Sequence, residues 1–386
     1  MNSTIISENI KYIGASTREL DLFEGQYILP EGMAYNSYLI LDEKTCVMDT
    51  VDEIVADEFF SNLKNELSGR QLDYLVVQHL EPDHSGSIER LAKEYPECKV
   101  VLSQKAASML VNFVSEDLSE RIITVNEGDK LSLGEHVLNF VAAPMVHWPE
   151  VIVTYEETEK VLFAADGFGK FGAMDAEEDW ACEARRYYFN IVGKYGSHVQ
   201  KLLSKLSGIE VKKILPLHGP LLQENLEYYI GLYDTWSKYE AECEGVFIAY
   251  ATLHGHTRKV AEKLKEILLQ KGCPKVAIAD LSRDDIAECV EDAFKYGKVV
   301  LAASSYDAGV MPKMEDFLHH LKSKNYQSRK IALIENTSWA PSAVRTMKSI
   351  LETMKNIEIV DPAVSVKVNV TEENVKALSE MADKLL

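Results

Sequence analysis

The stretch "HLEPDH" at residues 79–84 puts two imidazoles and two carboxylates into six positions and stiffens the run with Pro82. His79, Glu81, Asp83 and His84 are all of metal-ligating type. In an extended segment His79, Glu81 and Asp83 point to one side, because strand side chains alternate, and His84 needs a turn at the end. One ion rarely takes all its ligands from so short a segment, so the four are enough to feed two ions, with further ligands elsewhere. Candidates stand at the ends of other strand-like runs: His147 after "FVAAPMV", Asp166 after "KVLFAA" and His218 after "KKILPL". A lone His there is usually a hydrogen-bonded core or rim residue, and an Asp is commonly a turn or helix cap. Three separate strands each ending in a ligand-type residue point instead to one shared metal centre.

The elements that must position these residues are strands and helices in mixed order. "NSYLILD" and "TCVMDTV" read as an antiparallel pair, because only a few residues separate them. A helix over 53–67, the strand "LDYLVVQH", a helix over 85–95, the strand "KVVLS" and another helix follow. Paired strands return with "HVLNFVAAP", "VIVTYEE" and "KVLFAAD". This order predicts mixed sheets covered by helices. The segment from about 222 to 244 reads as a polar helix and linker, which places a domain boundary near Cys243: residues 1–243, then 244–386. Beyond it, "GVFIAY", "VAIADL", "KVVLAAS", "KIALIEN" and a last strand near 358–368 alternate with helices. That alternation predicts one doubly wound parallel sheet with its ligand beyond the carboxyl ends of the strands.

At the first strand-to-helix turn of this second half lies "AYATLHGHTRKVAEKL". Thr252 and Thr257 offer hydroxyls, Gly255 permits close backbone approach, and the start of the helix offers unpaired amides to an anion. Leu253, His254 and His256 complete the loop. Neutral donors suit a phosphate in an acidic chain. Among 386 residues, 41 Lys and Arg stand against 61 Asp and Glu, a formal charge of −20 that repels nucleic acid and anionic lipid. No run approaches the roughly 18 apolar residues of a membrane span. The first residues lack the basic start and apolar core of a secretion signal, so a cytoplasmic location is expected. Six scattered cysteines without a C-x-x-C pair fit reduced thiols and give no rubredoxin-type or zinc-ribbon pattern.

The motif H-x-E-x-D-H at 79–84, with His147 in "HWPE", Asp166 in "AADGFG" and His218 in "PLHGP", resembles the metallo-β-lactamase fold in its flavodiiron version. The 62 residues between His84 and His147 and the 18 between His147 and Asp166 agree with it, while the 51 before His218 are somewhat fewer than in many members. The second-half loops are similar to those of flavodoxins, whose ligand is FMN. Ser304, Ser305, Tyr306, Asp307, Ala308 and Gly309 match the loop after the third strand, with Asp307 where an amide is usual. Asn336, Thr337, Ser338 and Trp339 match the loop after the fourth, with Trp339 in the place of an aromatic near the flavin ring.

Together the two halves resemble the flavodiiron proteins. The resemblance implies an αββα metallo-β-lactamase-like domain followed by a flavodoxin-like sheet of order 2-1-3-4-5. It implies one iron on His79, Glu81 and His147, a second on Asp83, His84 and His218, and Asp166 bridging them. Tyr195, after "RRYYFNIVGK", resembles a family tyrosine near the diiron pocket that could donate a proton. The implied activity is reduction of dioxygen to water, of nitric oxide to nitrous oxide, or both, with electrons passing through FMN. The implied partners are a separate donor such as rubredoxin or a reduced deazaflavin, and a second copy in a head-to-tail homodimer or a dimer of dimers. A dinuclear zinc hydrolase of the same fold is the alternative; Glu81, where such hydrolases carry His, and an otherwise idle flavodoxin half argue against it. An electron carrier working only through its flavodoxin half would leave seven spaced ligands unexplained.

Overall fold

The computed structural model describes residues 6–386. It divides into two compact units, one holding the chain up to Tyr188 together with Ser197–Tyr233, the other Phe189–Gly196 with Asp234–Leu386. The chain therefore passes between units three times.

The first unit is built on two mixed sheets. One runs in the order Ile10–Tyr12, Tyr38–Leu41, Thr45–Met48, Tyr74–Val77, Lys99–Ser103, Ile122–Val125, and the other Lys130–Ser132, Val137–Ala142, Ile152–Glu156, Val161–Phe163, Lys213–Leu215. Their alternating residues meet in a shared core: Tyr38, Ile40, Cys46, Met48, Val76 and Val101 from the first, Leu138, Phe140, Ile152, Val161, Phe163 and Leu215 from the second. Each strand thus has one face in the sandwich. Helix Ala56–Leu67 turns Phe59, Phe60, Leu63 and Leu67 inward. Emptying such a site, as in Leu63→Ala, costs about 2–5 kcal/mol. "NSYLILD" and "TCVMDTV" pair antiparallel, as expected. The short strands Ile10–Tyr12, Ile122–Val125 and Lys130–Ser132 had no clear period to announce them.

The second unit is a parallel sheet in the order Val276–Asp280, Cys243–Ala251, Tyr296–Tyr306, Gln327–Thr337, Lys355–Lys367, which is 2-1-3-4-5. Its central strands are continuous apolar runs because helices cover a parallel sheet on both faces. Strand order reverses between Cys243–Ala251 and Tyr296–Tyr306, so the loops after those strands border the crevice where such sheets bind ligands. The stretch read as a polar helix and linker contains helix Leu226–Ser237, and Tyr233 and Trp236 on it are buried. Segment 189–196 is held within this unit: Phe189 stacks on Phe294 with centroids 4.1 Å apart, Asn190 Nδ2 donates to Ala287 O at 3.2 Å, and Lys324 Nζ donates to Asn190 O at 2.7 Å.

Candidate dinuclear metal centre and flavin crevice

The seven expected ligands gather from four places in the chain. His79 and Glu81 follow strand Tyr74–Val77, Asp83 and His84 lie on the single helical turn Pro82–Ser85, and His147, Asp166 and His218 leave strands of the second sheet. The extended geometry expected for 79–84 is corrected here. Pro82 at the first helical position has a preset φ that starts a helix. The turn swings Asp83 away from His79 and Glu81, and the donors sort into two groups. His79, Glu81, His147 and Asp166 form one; Asp83, His84 and His218 form the other; within each group the donor atoms lie within 4.8 Å of one another.

Asp166 joins the groups through its two oxygens. Oδ2 lies 3.3 Å from His79 Nε2 and 3.2 Å from His147 Nε2, while Oδ1 lies 3.1 Å from His84 Nε2 and 3.5 Å from His218 Nε2. Several of these contacts are short without being hydrogen bonds. His147 Nε2, Asp166 Oδ2 and both oxygens of Asp83 are buried without a hydrogen-bond partner, although His147 Nε2 lies 3.1 Å from Glu81 Oε2 and Asp83 Oδ2 lies 3.2 Å from His218 Nε2. Atoms that converge on a point instead of pairing have the geometry of ligands around cations, and burial makes any other arrangement costly. Four imidazoles, three carboxylates and no thiolate make a donor set suited to iron.

The surroundings fix which nitrogen faces the centre. Ala34 O can only accept, so the 2.8 Å contact to His218 Nδ1 puts the proton there and leaves Nε2 for a metal. Glu150 does the same for His79, accepting from Nδ1 at 2.8 Å and from Leu80 N–H at 3.1 Å. Asp49 accepts from the Gln78 backbone N–H at 2.7 Å and from Gln78 Nε2 at 2.9 Å, and burial pushes its carboxyl up to about 6. Burial opposes charge on His147, but Asp166 and Glu81 outweigh it and push it up to about 9; His79 and His84 are raised in the same way. A cation competes with those protons for the same lone pairs, so loading releases protons and strengthens as pH rises.

Aromatic rings close the centre. Phe23, Tyr35 and Tyr187 surround His218 at centroid distances of 5.6, 5.8 and 5.5 Å, and Trp148 stands edge-on to His79 at 5.1 Å. Burial, reinforced by the carboxylates of Asp166, Asp83 and Glu81, lifts the Tyr187 phenol well above its ordinary value, so its proton stays on Oη. Tyr35 and Tyr187, the latter at the end of helix Trp180–Tyr187, both pack on a ligand histidine; Tyr195 ends a 3₁₀ turn in the second unit, with Lys194 Nζ 5.9 Å from its ring. Sequence reasoning missed Glu150, Trp148 and Tyr187. The first two lie inside "HWPE", just after His147, and that closeness to a ligand is the signal that could have found them.

In the second unit the expected flavin loops stand at the carboxyl ends of strands Cys243–Ala251, Tyr296–Tyr306 and Gln327–Thr337. Gly255 precedes helix His256–Gln270 at φ +85° with open space where a Cβ would be, and no side chain caps the helix amides. Thr252 Oγ1 accepts from Gly255 N–H at 3.0 Å, Thr257 and Ser304 hydroxyls are 2.9 Å apart, and His256 Nδ1 is buried without a partner. Open amides, hydroxyls and an orphaned imidazole nitrogen fit a phosphate. Asp307 and Ala308, at φ 44° and 58°, turn the chain from Tyr306 to Gly309. Leu253, Tyr306 and Trp339 are exposed, Trp339 to 88 %, and give an apolar rim for a planar ring; His254 and Ser338 are exposed beside them. Two predicted side chains are engaged within the protein: Ser305 Oγ accepts from Ser342 and Ala343 N–H at 3.0 and 3.2 Å, and Asn336 bonds both backbone groups of Val368 at 3.1 Å. Thr337 is buried.

Fold and site define a two-unit oxidoreductase with a seven-ligand cluster suited to a dinuclear metal centre and a flavodoxin-type flavin crevice. The ODP family β-lactamase description matches residues 33–219, and a flavodoxin domain description matches 247–367. The structure of rubredoxin oxygen:oxidoreductase from Desulfovibrio gigas is similar with a TM-score of 0.92 at 26 % identity, over 99 % of this chain and 97 % of that one. A flavodiiron protein from Giardia intestinalis has the same fold, with a TM-score of 0.93 at 24 % identity over 100 % and 96 % of the two chains. An anaerobic nitric oxide reductase flavorubredoxin of Escherichia coli is 27 % identical over 91 % of this chain and 75 % of its own. The chain belongs to the flavodiiron proteins. It is a flavodiiron oxidoreductase whose cofactors are FMN and a diiron centre.

Proposed function

We propose that this protein reduces dioxygen to water, nitric oxide to nitrous oxide, or both, at irons held by His79, Glu81 and His147 on one side and Asp83, His84 and His218 on the other, with Asp166 between them. The observation that carries the reading is the Asp166 carboxylate, whose oxygens each face a separate set of imidazoles, in a chain that also carries a flavin crevice. When bound, a diiron centre and FMN would supply the electrons for reduction of a small oxidant. The protein's own part is to orient the imidazoles through Glu150 and Ala34, to exclude water with Phe23, Tyr35, Tyr187 and Trp148, and to hold a proton at Tyr187 Oη.

FMN is held at its phosphate by the Thr252–Thr257 loop and at its ring by the Ser304–Gly309 and Asn336–Trp339 loops. The exposed rim of Leu253, Tyr306 and Trp339 supports electron entry from a donor such as rubredoxin or a reduced deazaflavin. Because the two cofactor sites are built by different units, a head-to-tail homodimer or a dimer of dimers is the assembly we infer. The domain limits we assign are 1–243 and 244–386. Among the described residues no helix is long and apolar enough to cross a membrane, and a cytoplasmic location is the one we infer.

The test is the metal and flavin content of the protein purified without oxygen, followed by gas consumption with chemically reduced donor. Iron and FMN near stoichiometry with turnover of either gas is the expected result. Zinc without flavin, after growth in iron-replete medium, would overturn it in favour of a hydrolase.

A further inference from the structure

Behind the metal-bearing loops of the first unit lies a small crevice lined by Val146, Ala164, Gly167, Phe168 and the helical residues Val199 and Leu202, among others. Its inner wall comes from residues adjacent in sequence to two ligands: Val146 precedes His147, and Gly167 and Phe168 follow Asp166. Its outer wall is one face of helix Gly196–Leu206, on which Val199, Leu202, Leu203 and Leu206 recur at helical spacing. Val199 and Leu202 are buried, while Leu203 and Leu206 are partly exposed, so the crevice reaches from the ligand loops toward the surface.

Size and chemistry together select its occupant. The space open to the centre of a water-sized sphere is about 10 Å³, room for a single small molecule. A water there would find no hydrogen-bond partner, because the surface lining the crevice is wholly apolar. Apolar cavities of this kind stay dry and take up apolar guests such as xenon. A neutral diatomic gas has the right width, forms no obligatory hydrogen bonds and is more soluble in such surroundings than in water.

We propose that this crevice is the route and holding place by which the diatomic substrate reaches the metal centre. The inference rests on the proposed function for its purpose, but not for its existence. Helix Gly196–Leu206 is then a wall whose side-chain volumes set gas access, and the substitutions that matter touch neither ligands nor flavin loops.

The test uses the metal- and flavin-loaded protein. Crystals pressurised with xenon should show an atom between Leu202 and Phe168, and Leu202→Phe should displace it. The same variant should raise KM for gas about fivefold, with kcat, iron content and FMN content unchanged; Val199→Ile, a smaller filling, should give a smaller rise in the same direction. Absence of xenon from the crevice, or unchanged KM in a folded Leu202→Phe variant that excludes xenon, overturns the proposal. Xenon uptake in a protein that turns over neither gas would support the crevice as a gas site and remove the functional reading instead.

Discussion

Replacing Glu150 by alanine tests whether the ligand set is held by its surroundings or assembled by the metal alone. Glu150 Oε1 is the acceptor for two buried donors, His79 Nδ1–H and Leu80 N–H. Alanine leaves both unpaired, at roughly 1–3 kcal/mol each, so apo-protein stability should fall by about 2–6 kcal/mol. It also frees the His79 ring to rotate or change tautomer, which for outer-sphere partners of this kind costs about 10–100-fold in metal affinity. Glu150→Gln keeps an oxygen to accept both bonds but brings amide hydrogens to the place of Oε2, which has no hydrogen-bond partner, so it should fall between wild type and alanine. Anaerobic iron reconstitution against a competing chelator, with Tm of the iron-free forms, reads both quantities. An alanine variant with wild-type affinity and Tm would refute the claim that Glu150 sets the His79 tautomer; loss of FMN along with iron would mean the substitution unfolds the protein generally.

Asp166→Ala and His84→Ala should lower iron occupancy and abolish gas reduction while reduction of bound FMN by dithionite survives; turnover persisting in an iron-depleted variant would refute the mechanism. Thr257→Val removes the hydroxyl paired with Ser304 and should weaken FMN binding by roughly tenfold, read as flavin fluorescence on release, with iron content unchanged. His136 is buried beside Asp42, with Nδ1 2.9 Å from Oδ2, and faces Glu156 and Glu159 as well, so His136 and Asp42 form an ion pair. Burial opposes its charge, but the carboxylates raise it above 6.5, so its contribution is full below that value and lost as pH rises through the raised folded pKa. For Asp42 burial is outweighed by His136 and neighbouring N–H donors, which pull it down to about 2, so its contribution is full above 3.8 and lost as pH falls toward 2. Asp42→Asn should therefore shift the His136 imidazole titration downward in NMR and flatten stability below its raised pKa; an unmoved titration would refute the pairing.

The parallel sheet of the second unit was legible because such a sheet writes itself as apolar runs separated by helical periods, as in "GVFIAY" and "KVVLAAS", whereas its order came from the resemblance to flavodoxins. The seven metal-ligand candidates were legible because they stand at strand ends. What the residue pattern apart from the family resemblance could not give was their direction. Residues 79–84 read as extended, yet Pro82 starts a helical turn that sends Asp83 to the opposite group, a choice between two conformations that Pro allows equally. Short strands such as Lys130–Ser132 carry too few residues to show a period. Glu150 and Tyr187 act through contacts 71 and 31 positions away; nearness to His147 flags Glu150 as a site residue, but no local pattern names either partner. His136 was missed for the same reason, since Asp42 lies 94 residues off.

The passage of residues 189–196 into the second unit and back has a consequence for how the protein can be taken apart. A stop codon or a protease cut near residue 243 would remove Phe294, Ala287 and Lys324, and so strip Phe189 of its stacked ring and Asn190 of two hydrogen bonds. The fragment left behind would carry a bare aromatic turn just before helix Gly196–Leu206 and would be prone to aggregate. The two cofactor modules are sequential in their motifs but interlocked in their backbone, so a metal-only enzyme made by truncation should express poorly unless residues 189–196 are redesigned with polar side chains.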